Sequence, residues 1–166
     1  LAMRISAVYE DAQKIAEAAV AHPYGVIESN DNNPTMQSNS NLSFTYNNPI
    51  HSISSAEGYE EDVMGATMDA YLNGFEDPRR AVFFALSSNG NYRGLRNGHK
   101  NGDIFKGDEG LSKPNIQQGT PYIWMTAAEV FFLRAEGALK QWDMKGTPEA
   151  LYKSGIRASF EQHGVK

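Results

Sequence analysis

The chain has 166 residues, a formal net charge of −5 and no cysteine. This length is sufficient for one domain with a sizeable hydrophobic core, and the composition excludes disulfides, cysteine nucleophiles and thiolate metal sites. The sequence contains no basic cluster suited to nucleic acid and no apolar run of roughly 18 residues that would span a membrane.

The N-terminal segment has the pattern of a helix from its first residue. Its apolar residues recur at helical spacing and are Leu1, Ile5, Val8, Ala12, Ile15 and Ala19. The pattern predicts a helix over residues 1–21, with a break near 8–10, that ends at His22, Pro23 and Gly25. Because the chain starts inside this helix without a cap or an initiator methionine, we expect it to be a fragment of a longer protein, with any targeting signal upstream.

Two predicted loops enclose the elements in the middle of the chain. Residues 26–58 are rich in Asn and Ser and lack sustained periodicity, which favours a loop. A helix is predicted over 60–75, and the apolar run AVFFAL at 81–86 predicts a buried strand followed by a turn at 88–91. The glycine-rich residues 88–120 are predicted to be mostly loop.

The last third predicts an antiparallel helical hairpin. Thr126 and Glu129 form a capping-box pattern, which begins a helix that runs to about residue 141. Thr147 then caps a second helix, with Pro148 at the first position, where the N–H that proline lacks would be unpaired. Residues 124–163 have the size of one tetratricopeptide-type repeat. The predicted fold class is mainly α, with hairpins of this type, long irregular loops and minor β.

One arginine interrupts the apolar helix of this hairpin. Glu129, Glu136 and Lys140 share one narrow stripe of the helix, whereas Arg134 lies among apolar residues on another side. A helix this apolar is buried on most sides, and an unpaired guanidinium is costly to bury. We therefore predict that Arg134 is a structural residue paired with a carboxylate or with helix-end carbonyls; the alternative is an arginine that binds a ligand.

Several stretches of the sequence resemble one family of proteins. They are LAMRIS, KIAEAAVAH, GVIESNDNN, YLNGFEDPRRAVFF, YRGLRNG and, most specifically, PYIWMTAAEVFFLRAEGALKQWDMKGTPEALYKSGIRASFEQHG. Together they are similar to the SusD/RagB family of Bacteroidetes surface nutrient-binding lipoproteins, over residues 1–164. His163 stands where that pattern leads us to expect a tryptophan.

The resemblance implies a fold, an activity and partners. It implies a mainly helical protein with tetratricopeptide-like units and decorating loops, of which this chain is a single fragment from the middle and C-terminal part. Members are binding proteins and not enzymes, anchored outside the cell by a lipidated N-terminal cysteine that this chain lacks. They deliver glycans, as oligosaccharides or polysaccharides, to a TonB-dependent, SusC-like transporter in the outer membrane, and some relatives bind peptides instead.

No enzyme motif occurs in the sequence, and no cofactor is expected. Nucleophile-elbow, Walker, zinc-protease and dinucleotide-binding patterns are all missing. A metal site could be considered near His99 and Asp103, with Asp108 and Glu109 close by. The surrounding glycine-rich stretch lacks the spacing of a calcium loop, so we interpret it as a solvated loop and predict no metal.

Carbohydrate recognition requires aromatic faces for sugar rings and planar amides or guanidinium groups for hydroxyls. Two polar loops supply both, and their candidate ligand-binding residues are Tyr46, Asn47 and His51 in one, and Tyr92, Arg96 and Asn97 in the other. We expect Tyr46 and Tyr92 to be exposed on a common side of the molecule. Trp124 and Trp142 flank the helix of Arg134 and are assigned to core packing.

Four hypotheses on function are open at this point. They are a glycan-binding component of an uptake system, a peptide-binding protein of the same architecture, a helical-repeat scaffold for other proteins, and a hydrolase. The long loops favour the first two over a plain scaffold, which has short turns between helices. The missing catalytic pattern disfavours a hydrolase.

Overall fold

A computed structural model describes residues 3–4, 10–39, 47–54, 62–98 and 110–165. These residues are mainly helical, which confirms the predicted fold class. The elements in chain order are α1 (Ala12–Ala21), a 3-10 turn (Asn30–Asn32), β1 (Thr35–Met36), α2 (Pro49–Ser54), α3 (Ala66–Gly74), α4 (Arg80–Phe83), β2 (Tyr122–Ile123), α5 (Ala127–Leu139) and α6 (Pro148–Gln162). Strands β1 and β2 pair in a two-stranded sheet. Of the described helices, none has the length and hydrophobicity needed to cross a membrane.

The chain divides into two compact units. The first unit comprises residues 1–35 and 123–166 and contains α1, α5 and α6. The second unit comprises residues 36–122 and contains α2, α3 and α4.

Helices α5 and α6 pack against each other in antiparallel order. Ala135, in the second half of α5, shares an apolar cluster with Leu151 near the start of α6. Ala128, at the start of α5, shares another cluster with Ala158 near the end of α6. The two helices lie within residues 124–163, the range predicted for the hairpin.

The hairpin depends on one close approach between its helices. A Cβ atom added to Gly155 of α6 would lie 2.7 Å from the ring of Phe132 on α5. The same ring contacts Tyr152, with 5.5 Å between the ring centroids. A side chain at Gly155 would therefore have to displace a packed aromatic ring.

The sequence signals at the helix starts are largely confirmed. The Oγ1 of Thr126 accepts the backbone N–H of Glu129 at 3.1 Å, and the Oγ1 of Thr147 accepts a backbone N–H three residues on at 3.2 Å, with Pro148 at the first position. The capping box is formed only in one direction. The carboxylate of Glu129 pairs instead with the guanidinium of Arg4.

Arg134 lies in the interior of the first unit, with 6% of its surface exposed. Its Nη1 donates to Glu28 Oε1 at 2.6 Å, its Nε donates to the carbonyl of Met144 at 3.1 Å, and its Nη2 donates to the carbonyl of Lys145 at 3.4 Å. The turn between α5 and α6 contains two non-glycine residues with positive φ, Gln141 at 64° and Lys145 at 55°. Such conformations cost free energy, and the guanidinium holds the end of this turn in place.

Helix α1 is tied to the same turn. Ala16 and the half-buried Trp142 belong to one apolar cluster. The carboxylate of Glu17 accepts the backbone N–H of Asp143 at 3.0 Å and the side-chain amide of Gln13 at 2.8 Å. These bonds, the first more than the second, hold the pKa of Glu17 below its ordinary value.

Three extended segments form the centre of the second unit. Met64 and Ser112 are fully buried there. The N–H of Met64 donates to the carbonyl of Ser112 at 2.7 Å, and the N–H of Ser112 donates to the carbonyl of Arg93 at 2.9 Å. The N–H of Leu95 donates to the carbonyl of Met64 at 2.7 Å. Backbone hydrogen bonds thus join the segments around residues 64, 94 and 112.

Two predicted elements of this unit differ from the structure. The helix predicted over 60–75 begins at Ala66 within the described residues, because the backbone of Met64 pairs with Ser112 and Leu95 and not with its own turn. Residues 60–61 lie outside the described part of the chain. The strand predicted over 81–86 is also wrong in its first half, where α4 ends at Phe83. Phe84 then forms an antiparallel bridge with Pro114, so extended pairing begins three residues later than predicted.

The N-terminal helix and the turn at 88–91 are the remaining predicted elements. Helix α1 begins at Ala12, after a turn at residues 10–11, and ends at Ala21 with His22 as its C-cap, the end that was predicted. The helix predicted over residues 1–21 is wrong at residues 3–4, which form a turn, and its residues 1–2 and 5–9 lie outside the described part of the chain. The turn predicted at 88–91 is present.

Candidate functional site

The segment around Tyr92 is fixed to helix α3 through its backbone. The carbonyl of Tyr92 accepts the side-chain amide of Asn73 at 2.9 Å, and the N–H of Gly94 donates to Asp69 Oδ2 at 2.7 Å. A Cβ atom at Gly94 would lie 2.6 Å from the carbonyl oxygen of Gly65, so no other residue fits this close approach without a shift. The candidate loop therefore has a defined position on the second unit.

The ring of Tyr92 lies beside a guanidinium group that the sequence did not indicate. Arg80 of α4 has its Cζ 5.3 Å from the centroid of the Tyr92 ring. Its Nη1 donates to Asn73 Oδ1 at 3.2 Å. Tyr92 is half-buried, whereas Arg96 and Asn97 further along the loop are exposed. Aromatic, guanidinium and amide groups are thus gathered on one stretch of the second unit.

The other candidate loop ends in helix α2, which the loop prediction for residues 26–58 missed. Asn48 is buried, and its Oδ1 accepts the N–H groups of Ile50 at 2.9 Å and His51 at 3.4 Å, as an N-cap does. The N–H of Asn48 donates to the carbonyl of Gln118 at 2.8 Å, and its Nδ2 donates to that of Thr120 at 2.9 Å. An Asn-Pro pair is a recognised helix-start signal, and it would have located α2.

Asn47 and His51 direct part of their polar surface inward. Both residues are half-buried. Asn47 Oδ1, His51 Nδ1 and the hydroxyl of Ser52 are buried and have no hydrogen-bond partner among the described residues. Buried water commonly satisfies such atoms, so a ligand at the surface would meet the other polar atoms of Asn47 and His51.

The two candidate loops are held by different parts of the second unit. The Tyr92 segment is bonded to α3, whereas the start of α2 is bonded to residues 118 and 120. Tyr46 lies outside the described residues, so the predicted common side of Tyr46 and Tyr92 stays a prediction. The candidate metal region, with His99, Asp103, Asp108 and Glu109, also lies outside them. Within the part of the chain that is described, no three acidic or histidine side chains form a group that could hold a metal.

The prediction that Trp124 packs in the core is wrong, because 69% of its surface is exposed. Its N–H donates to the carbonyl of Pro34 at 2.9 Å, and neighbouring side chains in such an extended segment point to opposite sides. Met125 lines an apolar cavity of about 410 Å³ in the first unit, so Trp124 faces away from it. Trp142, in contrast, packs against an apolar cluster of that unit.

The first unit also has a polar cleft of about 470 Å³ beside α6 that the sequence did not reveal. Its lining includes Phe131, Asp31, Arg157 and Glu161. Asn30, at the edge of this cleft, donates through Nδ2 to the carbonyl of Ala158 at 2.9 Å and so fixes the 3-10 turn to α6. The polar groups of the cleft come from two separate parts of the sequence, and no local sequence pattern joins them.

The fold and the two candidate loops place the chain in a class of proteins with a tetratricopeptide-like helical frame that carries polar, aromatic-bearing loops. The SusD-like family, described as SusD and RagB outer membrane lipoproteins, matches residues 1–166. The chain belongs to this family, as the sequence resemblance indicated. No match was found among curated proteins.

Solved structures of several family members are similar to the chain. A chitin-binding SusD homologue from Flavobacterium johnsoniae is 38% identical, with a TM-score of 0.85, over 99% of this chain and 33% of that one. A SusD homologue from Bacteroides uniformis is 37% identical, with a TM-score of 0.86, over 99% and 34%. One from Bacteroides vulgatus is 34% identical, with a TM-score of 0.83, also over 99% and 34%. The chain thus spans about a third of the length of these relatives.

Proposed function

We propose that the chain is part of a non-catalytic glycan-binding protein of the bacterial cell surface. The observation that carries the proposal is the similarity, at 38% identity and over 99% of the chain, to a SusD homologue described as chitin-binding. That relative favours glycan over peptide as the ligand class. Membership in a family described as outer membrane lipoproteins supports a surface location, with a lipid anchor on a part of the protein outside this sequence.

The proposed binding residues are those of the two polar loops in the second unit. Tyr92 offers an aromatic ring, and Arg96 and Asn97 offer exposed guanidinium and amide groups. Asn47 and His51 contribute their remaining polar atoms at the start of α2. Aromatic faces against sugar rings and planar donors against hydroxyls are the combination that saccharide recognition requires. Tyr46 is proposed as a further aromatic contact.

The proposed role of binding is to deliver glycans to a SusC-like TonB-dependent transporter. Delivery requires reversible binding without cleavage, because the transporter must receive the glycan intact from the binding protein. The absence of an enzyme motif from the sequence agrees with this role. Co-purification of the longer natural protein with its transporter would test the partnership.

The test of ligand class is isothermal titration of the chain with chitin, cellulose and starch oligosaccharides and with a mixed-sequence peptide. We expect saturable binding of at least one glycan series. Tyr92→Leu should weaken that binding, whereas Tyr24→Leu, at a highly exposed tyrosine of the first unit, should leave it unchanged. Binding of the peptide alone would contradict the glycan proposal, and release of reducing sugar that depends on a carboxylate of the chain would contradict the non-catalytic one.

A further inference from the structure

We infer that Arg80 and Tyr92 act as one sugar-recognition pair, in which the guanidinium binds an acceptor oxygen of the glycan beside the tyrosine ring. This inference rests on the proposed glycan-binding function and adds a residue that the sequence did not indicate. The supporting observation is the position of the Arg80 Cζ, 5.3 Å from the centroid of the Tyr92 ring. The guanidinium thus lies over the Tyr92 ring, and the cation and the aromatic ring are in contact.

Arg80 and its neighbour Arg79 differ in how many of their N–H donors have partners. Arg79 makes a two-pronged contact with Asp77, from Nε to Oδ1 at 3.0 Å and from Nη2 to Oδ2 at 2.6 Å, and this contact raises the pKa of Arg79. Arg80 donates one hydrogen bond, from Nη1 to Asn73 Oδ1, and within the described residues no carboxylate pairs with it. A guanidinium has five N–H donors and no acceptor, so most of the donors of Arg80 have no partner among the described residues.

A hydrogen-bonded chain holds the pair in a fixed orientation. Asp69 Oδ1 accepts the amide of Asn73 at 2.6 Å, while Asp69 Oδ2 accepts the N–H of Gly94 at 2.7 Å. Asn73 then contacts both members, accepting from Arg80 and donating to the carbonyl of Tyr92. Binding groups held in place by such supporting contacts lose less conformational entropy when a ligand binds.

The chemistry of the pair defines the ligand that it fits. Because a guanidinium only donates, its partner must be an acceptor, such as a hydroxyl oxygen or the carbonyl of an N-acetyl group. The phenol ring next to it favours an apolar face on the same ligand. A neutral sugar ring with an acceptor oxygen at its edge meets both conditions.

The test is a double-mutant cycle on glycan affinity. Arg80→Met removes the donors but keeps much of the side-chain length, and it should weaken binding about tenfold, as expected for one charge-assisted hydrogen bond. Tyr92→Leu should weaken binding to a similar extent. The double variant should bind the glycan no more than about twofold more weakly than whichever single variant binds it less tightly, because the two residues act together.

Controls separate this role from a structural one. Lys14→Met, at an exposed cationic residue of the first unit, should leave affinity unchanged. Arg80→Lys, which keeps the charge and loses the planar donor fork, should give an intermediate loss of about threefold; it also replaces Arg80→Met if that variant does not fold. Amide NMR spectra should show both Arg80 variants folded.

Two outcomes would overturn the inference while the proposed function survives. One is wild-type affinity for the glycan in Arg80→Met. The other is independent action, in which the losses of the two single variants multiply to about a hundredfold in the double variant. A wild-type chain that binds no glycan at all would instead remove the proposed function, and the inference with it.

Discussion

Replacing Arg134 should destabilise the first unit far more than replacing the carboxylate that it contacts. In Arg134→Met, the buried guanidinium is lost and a side chain of similar length is retained. The carbonyls of Met144 and Lys145 lose their donors in the turn after α5. In Glu28→Gln, the acceptor remains and only its charge is removed, so the contact from Arg134 Nη1 can persist as a neutral hydrogen bond.

The expected magnitude follows from burial. Arg134 is 6% exposed, and a hydrogen bond to a charged group contributes about 1.5–3 kcal/mol in such a site. The side chain of Glu28 is 62% exposed, so solvent screening reduces the ionic part of its pair to about 1 kcal/mol or less. Arg134→Met loses the Met144 bond, the longer Lys145 bond and the screened pair, and it should therefore lower the free energy of unfolding by about 2–4 kcal/mol. Glu28→Gln should lower it by less than about 1 kcal/mol.

Thermal unfolding followed by circular dichroism measures the difference. A loss of about 3 kcal/mol corresponds to a decrease of roughly 6–12 °C in the Tm of a chain this long. Glycan affinity of the folded Arg134→Met protein should be unchanged. Equal Tm losses in the two variants would refute the argument that the carbonyl contacts dominate, and a variant of normal stability that had lost glycan binding would assign Arg134 to the ligand.

Three further predictions concern the frame. Gly155→Ala should lower the free energy of unfolding by about 1–3 kcal/mol because the new methyl group meets the Phe132 ring. Gly74→Ala, where the added Cβ meets nothing within 4 Å beyond its own helix backbone and chain neighbours, should leave the Tm unchanged or slightly higher. Equal effects of the two substitutions in urea unfolding would contradict the packing argument. Thr126→Ala should cost about 1 kcal/mol by removing the cap of α5, and Thr126→Ser should restore most of it, which chemical denaturation can measure. Because hydrogen bonds depress the pKa of Glu17 in the folded state, its contribution is present above its ordinary pKa of roughly 4.3 and is lost as the pH falls through the lower folded-state pKa. Tm profiles between about pH 6 and 3 should therefore decline less steeply in Glu17→Gln, and identical slopes would show that this carboxylate is not coupled to folding.

The elements predicted best are those with local signals at their ends. Thr126 and the Thr147-Pro148 pair begin helices because their side chains or ring act on backbone groups within one turn. Helix α2 was missed since it has only six residues and no periodicity, although Asn48 and the following proline mark its start. An apolar run such as AVFFAL does not by itself distinguish a helical turn from a strand, and the hydrogen bonds of neighbouring segments decide it.

The candidate site was less predictable than the frame. Tyr92 was identified from its polar loop, but its neighbour Arg80 comes from α4, and the two are joined through Asn73 on α3. That juxtaposition depends on tertiary contacts between three segments and leaves no spacing in the sequence. The exposure of Trp124 was likewise set by the direction of an extended segment, which composition does not reveal.

An NMR titration shows whether the second unit is the part of the chain that binds glycans. Isotope-labelled protein is titrated with a chitin oligosaccharide while the backbone and arginine side-chain N–H signals are recorded. We expect saturable shifts at Tyr92, Arg96 and Asn97, with the signals of α5 and α6 unchanged. Saturable shifts confined to the first unit, or none with any glycan series tested, would contradict it.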